Sequence, residues 1–271
     1  MSELHDGVVA RVDLGWGSLH TERYGDGPPV LAISGSGGDL RRSAPAAHPL
    51  NREFRVLHYD HRGLGRSDDI EAPPTMASFA DDAAALVRAV GWDRCHVVGV
   101  SFGGMVAQHL AIRHPDVVDR LVLCCTSPGG DHASYPLHEL ADLEGEERAD
   151  VLFRLFDRRY DPSAAEPVPG LGRAYGPIRD GLGLPRSHGA TRQLAARSHH
   201  DVTGELGRIE APTLVCAGVH DDIAPLDNAE VIVAGVPDAR LATFDGGHLF
   251  LMQDRTAYPT IAAFLRGDDP A

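Results

Sequence analysis

No apolar run in this chain approaches the ~20 residues a helix needs to cross a bilayer. The first residues, Met1-Ser2-Glu3-Leu4-His5-Asp6, lack the basic start and apolar stretch of an export signal. Cys-x-x-Cys spacing is missing too. The four cysteines, Cys95, Cys124, Cys125 and Cys216, all fall in apolar, strand-like runs. That pattern predicts small buried core residues in a reducing compartment rather than disulfides or a metal site. A surplus of basic charge is also absent. The formal net charge is −14, which argues against a nucleic-acid partner, since phosphate backbones are bound by basic surfaces. Together these absences predict a cytoplasmic protein with no nucleic-acid and no membrane partner. Neither an internal repeat nor a low-complexity tract appears. What is present is length and apolar content: 271 residues, 43% of them hydrophobic. That suffices for one large domain, or for one domain carrying an insertion.

Short apolar or alternating runs mark the strands. Val8 to Val12 and Ser18 to Tyr24 read as an antiparallel opening pair. Pro29 to Ile33, Phe54 to Tyr59, Cys95 to Val100 and Arg120 to Cys125 follow as strands. Between them lie helical patterns. One starts after Pro73, Pro74 and Thr75, presents Phe79, Ala83, Leu86 and Val90 on one face, and stops at Gly91. Another carries Met105, Val106 and Leu110 and ends by Pro115. Strands alternating with helices at this spacing predict a mostly parallel sheet covered on both faces. After Thr126-Ser127-Pro128-Gly129-Gly130 the alternation breaks. Leu137 to Leu143, Val151 to Phe156 and Ala190 to Ser198 look helical, with a Pro/Gly-rich passage from Asp161 to Pro185. The alternation resumes with Thr213 to Ala217, Asn228 to Val236, Arg240 to Phe244 and a last helix bearing Ile261, Phe264 and Leu265. The expected organisation is therefore a core of residues 1–127 and 209–271, with residues 128–208 inserted as a helical cap or lid.

The chemistry concentrates in Gly99-Val100-Ser101-Phe102-Gly103, set between a buried strand and a helix. A serine at such a turn projects its hydroxyl clear of the sheet edge, and the following N–H points to the same spot. A glycine-rich turn with an incidental serine would look the same in isolation, so the other loops decide. The run Ser34-Gly35-Ser36-Gly37-Gly38-Asp39 could cradle a phosphate. It lacks Gly-Lys-Ser/Thr, however, and the third glycine of Gly-x-Gly-x-x-Gly falls on Leu40. Two further loops follow later strands: Gly218-Val219-His220-Asp221-Asp222-Ile223-Ala224-Pro225, and Asp245-Gly246-Gly247-His248. In an open α/β sheet, function collects at the carboxyl ends of the strands. Serine, then aspartate, then histidine is a chain order that separates this arrangement from those of chymotrypsin and subtilisin. Adjacency alone leaves Asp221 and Asp222 open as the acid. His199, His200 and Asp201 invite a metal reading, but adjacent helical side chains diverge and no third ligand is placed, so no metal and no cofactor are expected. Arg154, Arg158 and Arg159 read as a solvated helix face.

With these loops in this order the chain resembles the α/β-hydrolase superfamily over essentially its whole length. The residues that carry the resemblance are the Ser101 elbow, Asp60-x-Arg62-Gly63-x-Gly65-x-Ser67, Gly218-x-x-Asp221-x-x-x-Pro225 and Gly247-His248. The small single-cap bacterial esterases and lactonases, including 3-oxoadipate enol-lactonase-like proteins, are the most similar subgroup. The resemblance implies an α/β-hydrolase fold with an eight-stranded, mostly parallel sheet and a helical cap. It implies Ser101 as nucleophile, His248 as base and Asp221 as the acid. Asp221 stands three residues after Gly218 and four before Pro225; Asp222 misses by one at both ends. It also implies an oxyanion hole from the N–H groups of Ser36 and Phe102, although Ser34-Gly35 stands where the family has His-Gly. Pocket candidates are Gly35, His61, Leu152, Phe156 and His200, while Asp60 and Arg62 are expected to fix the loop after the fourth strand. The expected activity is hydrolysis of a small ester or lactone by a monomer or homodimer. Alternatives on the same fold are C–C bond hydrolysis, perhydrolase or haloperoxidase chemistry, and a non-catalytic ligand receptor. Haloalkane dehalogenation is disfavoured, because its nucleophile is a carboxylate.

Overall fold

The computed structural model describes residues 7–164, 168–171 and 187–268. Eight strands form one sheet: β1 (Val8–Asp13), β2 (Ser18–Tyr24), β3 (Pro29–Ile33), β4 (Arg55–Tyr59), β5 (Cys95–Val100), β6 (Val118–Cys124), β7 (Thr213–Gly218) and β8 (Ala239–Phe244). Their spatial order is β1-β2-β4-β3-β5-β6-β7-β8. β2 runs antiparallel to both neighbours, β1 and β4, and every other pairing is parallel. The helices of ten or more residues, among those described, are α1 (Met76–Ala89), α2 (Phe102–Arg113), α3 (Gly145–Phe156), α4 (His188–Arg197), α5 (Leu226–Gly235) and α6 (Ala257–Arg266). This is the α/β-hydrolase fold expected from the sequence.

Both sheet faces are covered, so the central strands have no polar face to spare. Leu31, Val97, Leu121, Leu123 and Val215 point into one apolar layer with Phe79, Val106, Leu110 and Ile232 of the helices. Their strand neighbours Val30, Val98, Val122, Cys124 and Leu214 point into the opposite layer with Phe250, Ile261, Phe264 and Leu265. The period of two along each strand makes this partition. All four cysteines are buried and free. Among the described residues no helix is long and apolar enough to cross a membrane.

Topology then selects one place on the sheet. From β3 the chain moves to β4 on one side and then to β5 on the other, so the loops after β3 and β5 diverge from a switch point. A crevice opens there at the carboxyl edge. The loop after β4 braces it. The Asp60 carboxylate accepts from Leu40 N at 2.7 Å and Arg66 N at 2.9 Å, tying that loop to the end of the loop after β3. Arg62 pairs with Asp82 of α1 at 2.5 Å, and Trp16 Nε1 donates to the same carboxylate at 2.8 Å. Asp60 and Arg62 are thus occupied in fixing the loop.

Element boundaries differ from the sequence-based expectation where polar residues mask the pattern. β6 begins at Val118 although Asp119 and Arg120 follow. α3 starts at Gly145, because its first turn is the charged Glu146-Glu147-Arg148. Leu137–Asp142 is a 3₁₀ turn rather than an α-helix. Between β6 and β7 the described residues hold α3, α4 and 3₁₀ turns, and no strand. Most of the Pro/Gly-rich passage, residues 165–167 and 172–185, lies outside the described residues.

Candidate active site

Ser101 sits between β5 and α2 with φ 55° and ψ −116°. Holding a residue with a side chain in such a region costs of order 1–3 kcal/mol, which surrounding packing must offset. Here α2 starts almost in contact with β3: a Cβ on Gly103 would lie 2.1 Å from the Ile33 carbonyl oxygen. Thr126 Oγ1 donates to the Ser101 carbonyl at 2.8 Å, and Ser101 N donates to Cys124 O at 2.8 Å. The turn is therefore clamped on both sides.

Three side chains from three loops meet in one hydrogen-bonded line. His248 Nε2 lies 3.0 Å from Ser101 Oγ, and His248 Nδ1 lies 2.8 Å from Asp221 Oδ2. Acceptance by the carboxylate places the imidazole proton on Nδ1 and leaves Nε2 free to accept from the hydroxyl. Asp221 is 1% exposed, and its Oδ1 accepts from Ile223 N at 2.8 Å and Ala224 N at 3.0 Å. Asp222 points elsewhere. Its side chain is 43% exposed and lies 4.0 Å from Arg158.

The end of α3 holds the Asp221 and His248 loops together. The last carbonyls of a helix lack intrahelical partners. Here Leu155 O accepts from Asp222 N at 3.1 Å, and Phe156 O accepts from His248 N at 2.6 Å. Gly247 allows this approach, since a Cβ there would come within 1.9 Å of Phe156 O. The Phe156 ring stacks on His248 with centroids 5.9 Å apart. Leu152, one turn earlier, packs with Leu140 and Ile223.

The loop after β3 makes a turn, with Gly38 N donating to Gly35 O at 3.1 Å. Gly35 borders Ser101, because a Cβ on it would lie 3.5 Å from Ser101 Cβ. Ser36 N is a central donor of that turn and Phe102 N is the first of α2, so neither position has an acceptor supplied by regular structure. His61 is buried beneath this loop. Its ring makes edge contacts with Tyr59, Phe79 and Phe102, and Nε2 lies 3.3 Å from Ser34 O. Burial pushes its pKa down to about 4, so the ring is neutral at pH 7.

The adjacent histidines separate. His199 lines a cavity of about 430 Å³ on the outer side of α4 with Pro73, Pro74 and His109, and no residue of the Ser101 line borders it. His200 turns inward, with Nε2 2.9 Å from Ser127 O and Nδ1 3.2 Å from His109 Nε2. It lines a second cavity of about 120 Å³ with Met105 and Ser127. Among the described residues no group of three or more His, Cys, Asp or Glu side chains gathers as a metal site.

Two buried polar residues of α4 escape the sequence reading. Gln193 Oε1 accepts from Gly37 N at 2.7 Å in the loop after β3, and its Nε2 is buried with no hydrogen-bond partner among the described residues. Arg197 is 8% exposed. The only signal for them is their i, i+4 spacing on one helix face, which in sequence reads as ordinary polar helix surface.

The known proteins most informative about this arrangement are bacterial hydrolases. A family model described as the alpha/beta hydrolase fold matches residues 28–162. A putative carbamate hydrolase RutD of Pseudomonas savastanoi pv. phaseolicola is 30% identical over 254 residues, covering 91% of this chain and 97% of its own. The putative carbamate hydrolase RutD of Agrobacterium fabrum is 28% identical over 240 residues, covering 84% and 90%. Among solved structures, a hydrolase from Pseudomonas aeruginosa aligns with a TM-score of 0.76 at 28% identity, covering 96% of this chain and 98% of its own. The enol-lactonase from Burkholderia xenovorans aligns at 0.73 with 24% identity, covering 96% and 97%, a likeness that bears on fold alone.

Proposed function

The chain belongs to the α/β-hydrolase fold family and is a hydrolase, and from that premise we propose that it cleaves a small ester or lactone through an acyl-enzyme on Ser101. The observation that carries this reading is the line from Ser101 Oγ through His248 to Asp221, at 3.0 Å and 2.8 Å. A serine hydroxyl is a weak nucleophile until a base takes its proton as it attacks. His248 Nε2 is within reach to do so. Asp221 holds the tautomer that leaves Nε2 unprotonated and stabilises the imidazolium formed. The N–H groups of Ser36 and Phe102 receive the oxyanion, each such donor being worth about 3–4 kcal/mol in the transition state. His248 then returns the proton to the leaving oxygen, and a water activated by the same ring releases the acyl group.

A fluorophosphonate probe should add one label, on Ser101, and p-nitrophenyl acetate should be turned over. Labelling that persists in Ser101→Ala, or an active protein that takes no label, would discard the assignment. A second reading is favoured by the relatives' names: the same machinery can attack a carbamate carbonyl. A panel of matched esters, lactones and carbamates separates the two by kcat/KM.

Residues 128–208 would roof this site as a lid. Leu152, packed against Ile223 beside the acid turn, then borders the acyl group. Leu152→Ala should change the ratio of kcat/KM for butyryl and acetyl esters by about tenfold, the scale of a methylene contact or two in an apolar pocket. Equal loss on both esters would indicate a folding defect or a helix that does not line the site.

A further inference from the structure

His248 ends a loop that does not hold its own shape. Gly246 and Gly247 precede it, and two glycines in a row leave the backbone unusually free. Close packing demands both of them. A Cβ on Gly246 would lie 2.8 Å from Phe250 Cα, and one on Gly247 would lie 2.8 Å from Asp157 Cα. The loop is therefore fixed from outside. At its start, Arg159 Nη1 donates to Asp245 Oδ1 at 2.7 Å. Near its end, Gly247 N donates to Gln253 Oε1 at 2.9 Å. Gln253 closes the short helix Phe250–Gln253, and its Nε2 donates to Asp157 Oδ2 at 2.8 Å. The next N–H along the chain, that of His248, is the one held by Phe156 O. Two successive N–H groups are thus tied to the end of α3, one directly and one through Gln253.

Asp157 stands in an unfavourable place. It caps the C-terminal end of α3 and is 0% exposed. A carboxylate there meets the negative end of the helix dipole and has lost its water. Arg159 offsets this with a fork, Nε to Oδ1 at 2.9 Å and Nη2 to Oδ2 at 2.8 Å. Burial pushes the Asp157 pKa up, but the hydrogen bonds from Arg159 and Gln253 outweigh it and hold the carboxyl below its usual range. A buried ion pair is a weak source of stability, so the charge points to another use, which is orientation. An ionised carboxylate only accepts. It turns the NH₂ group of Gln253 toward α3 and leaves Oε1 facing Gly247 N. The reversed amide would set NH₂ against that N–H. An asparagine at position 157 has one oxygen and could not serve both Gln253 and Arg159. We propose that Asp157 and Gln253 are positioning residues for His248, through which the seating of α3 sets where Nε2 meets Ser101 Oγ. The effect on turnover rests on the hydrolase reading given above; the placing of His248 can be read without it.

Gln253→Met keeps the length of the side chain and removes both of these hydrogen bonds. It should lower kcat for p-nitrophenyl acetate by about 10- to 100-fold with KM nearly unchanged, the scale of a base misplaced by about 1 Å. Gln253→Glu should be worse, since two carboxylates then face each other. Adding Asp157→Asn to Gln253→Glu should recover most of the loss. The new amide donates where the carboxylate accepted, the new carboxylate still accepts from Gly247 N, and Arg159 keeps one oxygen. The low-field proton resonance of His248 Nδ1–H, shared with Asp221, reads the same geometry without substrate. It should be lost in Gln253→Met and Gln253→Glu and return in the double variant. Variants that melt earlier yet keep kcat and the resonance would reduce the pair to an anchor for α3 and overturn the inference. Equal losses in Gln253→Glu with and without Asp157→Asn would overturn it as well. A wild type that hydrolyses nothing ends the hydrolase reading alone, and the resonance then decides this one. If Gln253→Met does not fold, Gln253→Glu and the double variant decide the question.

Discussion

Ser101→Ala should lower kcat for p-nitrophenyl acetate by on the order of 10⁶, and His248→Ala should do nearly the same. The two side chains act as one unit. Ser101 Oγ lies 3.0 Å from His248 Nε2, so without the imidazole the hydroxyl keeps its proton, and without the hydroxyl the imidazole has nothing to activate. The double variant should be little worse than either single one, leaving only what substrate binding and the N–H donors of the oxyanion hole contribute. Neither change should unfold the protein, because the elbow is held by backbone contacts to Ile33, Cys124 and Thr126 rather than by the serine hydroxyl. Steady-state kinetics with circular dichroism on each variant makes the measurement. A Ser101→Ala protein within tenfold of wild type would mean that the hydrolysis occurs elsewhere.

Asp221→Asn should lower kcat by on the order of 10³–10⁴ without loss of fold. The geometry gives the reason. Oδ1 of Asp221 accepts two backbone N–H groups, from Ile223 and Ala224. An asparagine will keep its carbonyl oxygen there and turn its NH₂ group toward His248 Nδ1, which lies 2.8 Å from the present Oδ2. An amide N–H facing Nδ1 forces that nitrogen to accept and moves the ring proton to Nε2. There it blocks acceptance from Ser101. Asp222→Asn should leave kcat near the wild-type value. Its carboxylate is largely solvated and only 4.0 Å from Arg158, a surface pair of little energetic consequence. If Asp222→Asn is the crippled variant, the roles are reversed; if both stay active, the acid lies elsewhere.

Sequence alone determined the sheet, because a strand buried on both faces has to be a short apolar run, and Cys95–Val100 and Thr213–Gly218 are such runs, each with one polar residue, His96 and Thr213, at or next to its start. It also located the loops that carry Ser101, Asp221 and His248, since each directly follows a strand and therefore falls on the same sheet edge. Boundaries slipped where burial and polarity disagree, as in the charged first turn of α3 and in Asp119 and Arg120 within β6. Only the tertiary structure decided what α3 and α4 do. The carbonyls of Leu155 and Phe156 are capped by the N–H groups of Asp222 and His248, which come from loops more than sixty residues away in sequence. No local pattern encodes such a contact. Arg197 is the sharper case. In sequence it is one more charged residue of a short polar helix, and most such residues face water. Its burial, with no carboxylate partner among the described residues, follows from where α4 lies across the loops after β3 and β6, and helix periodicity carries no information about which face that placement will bury.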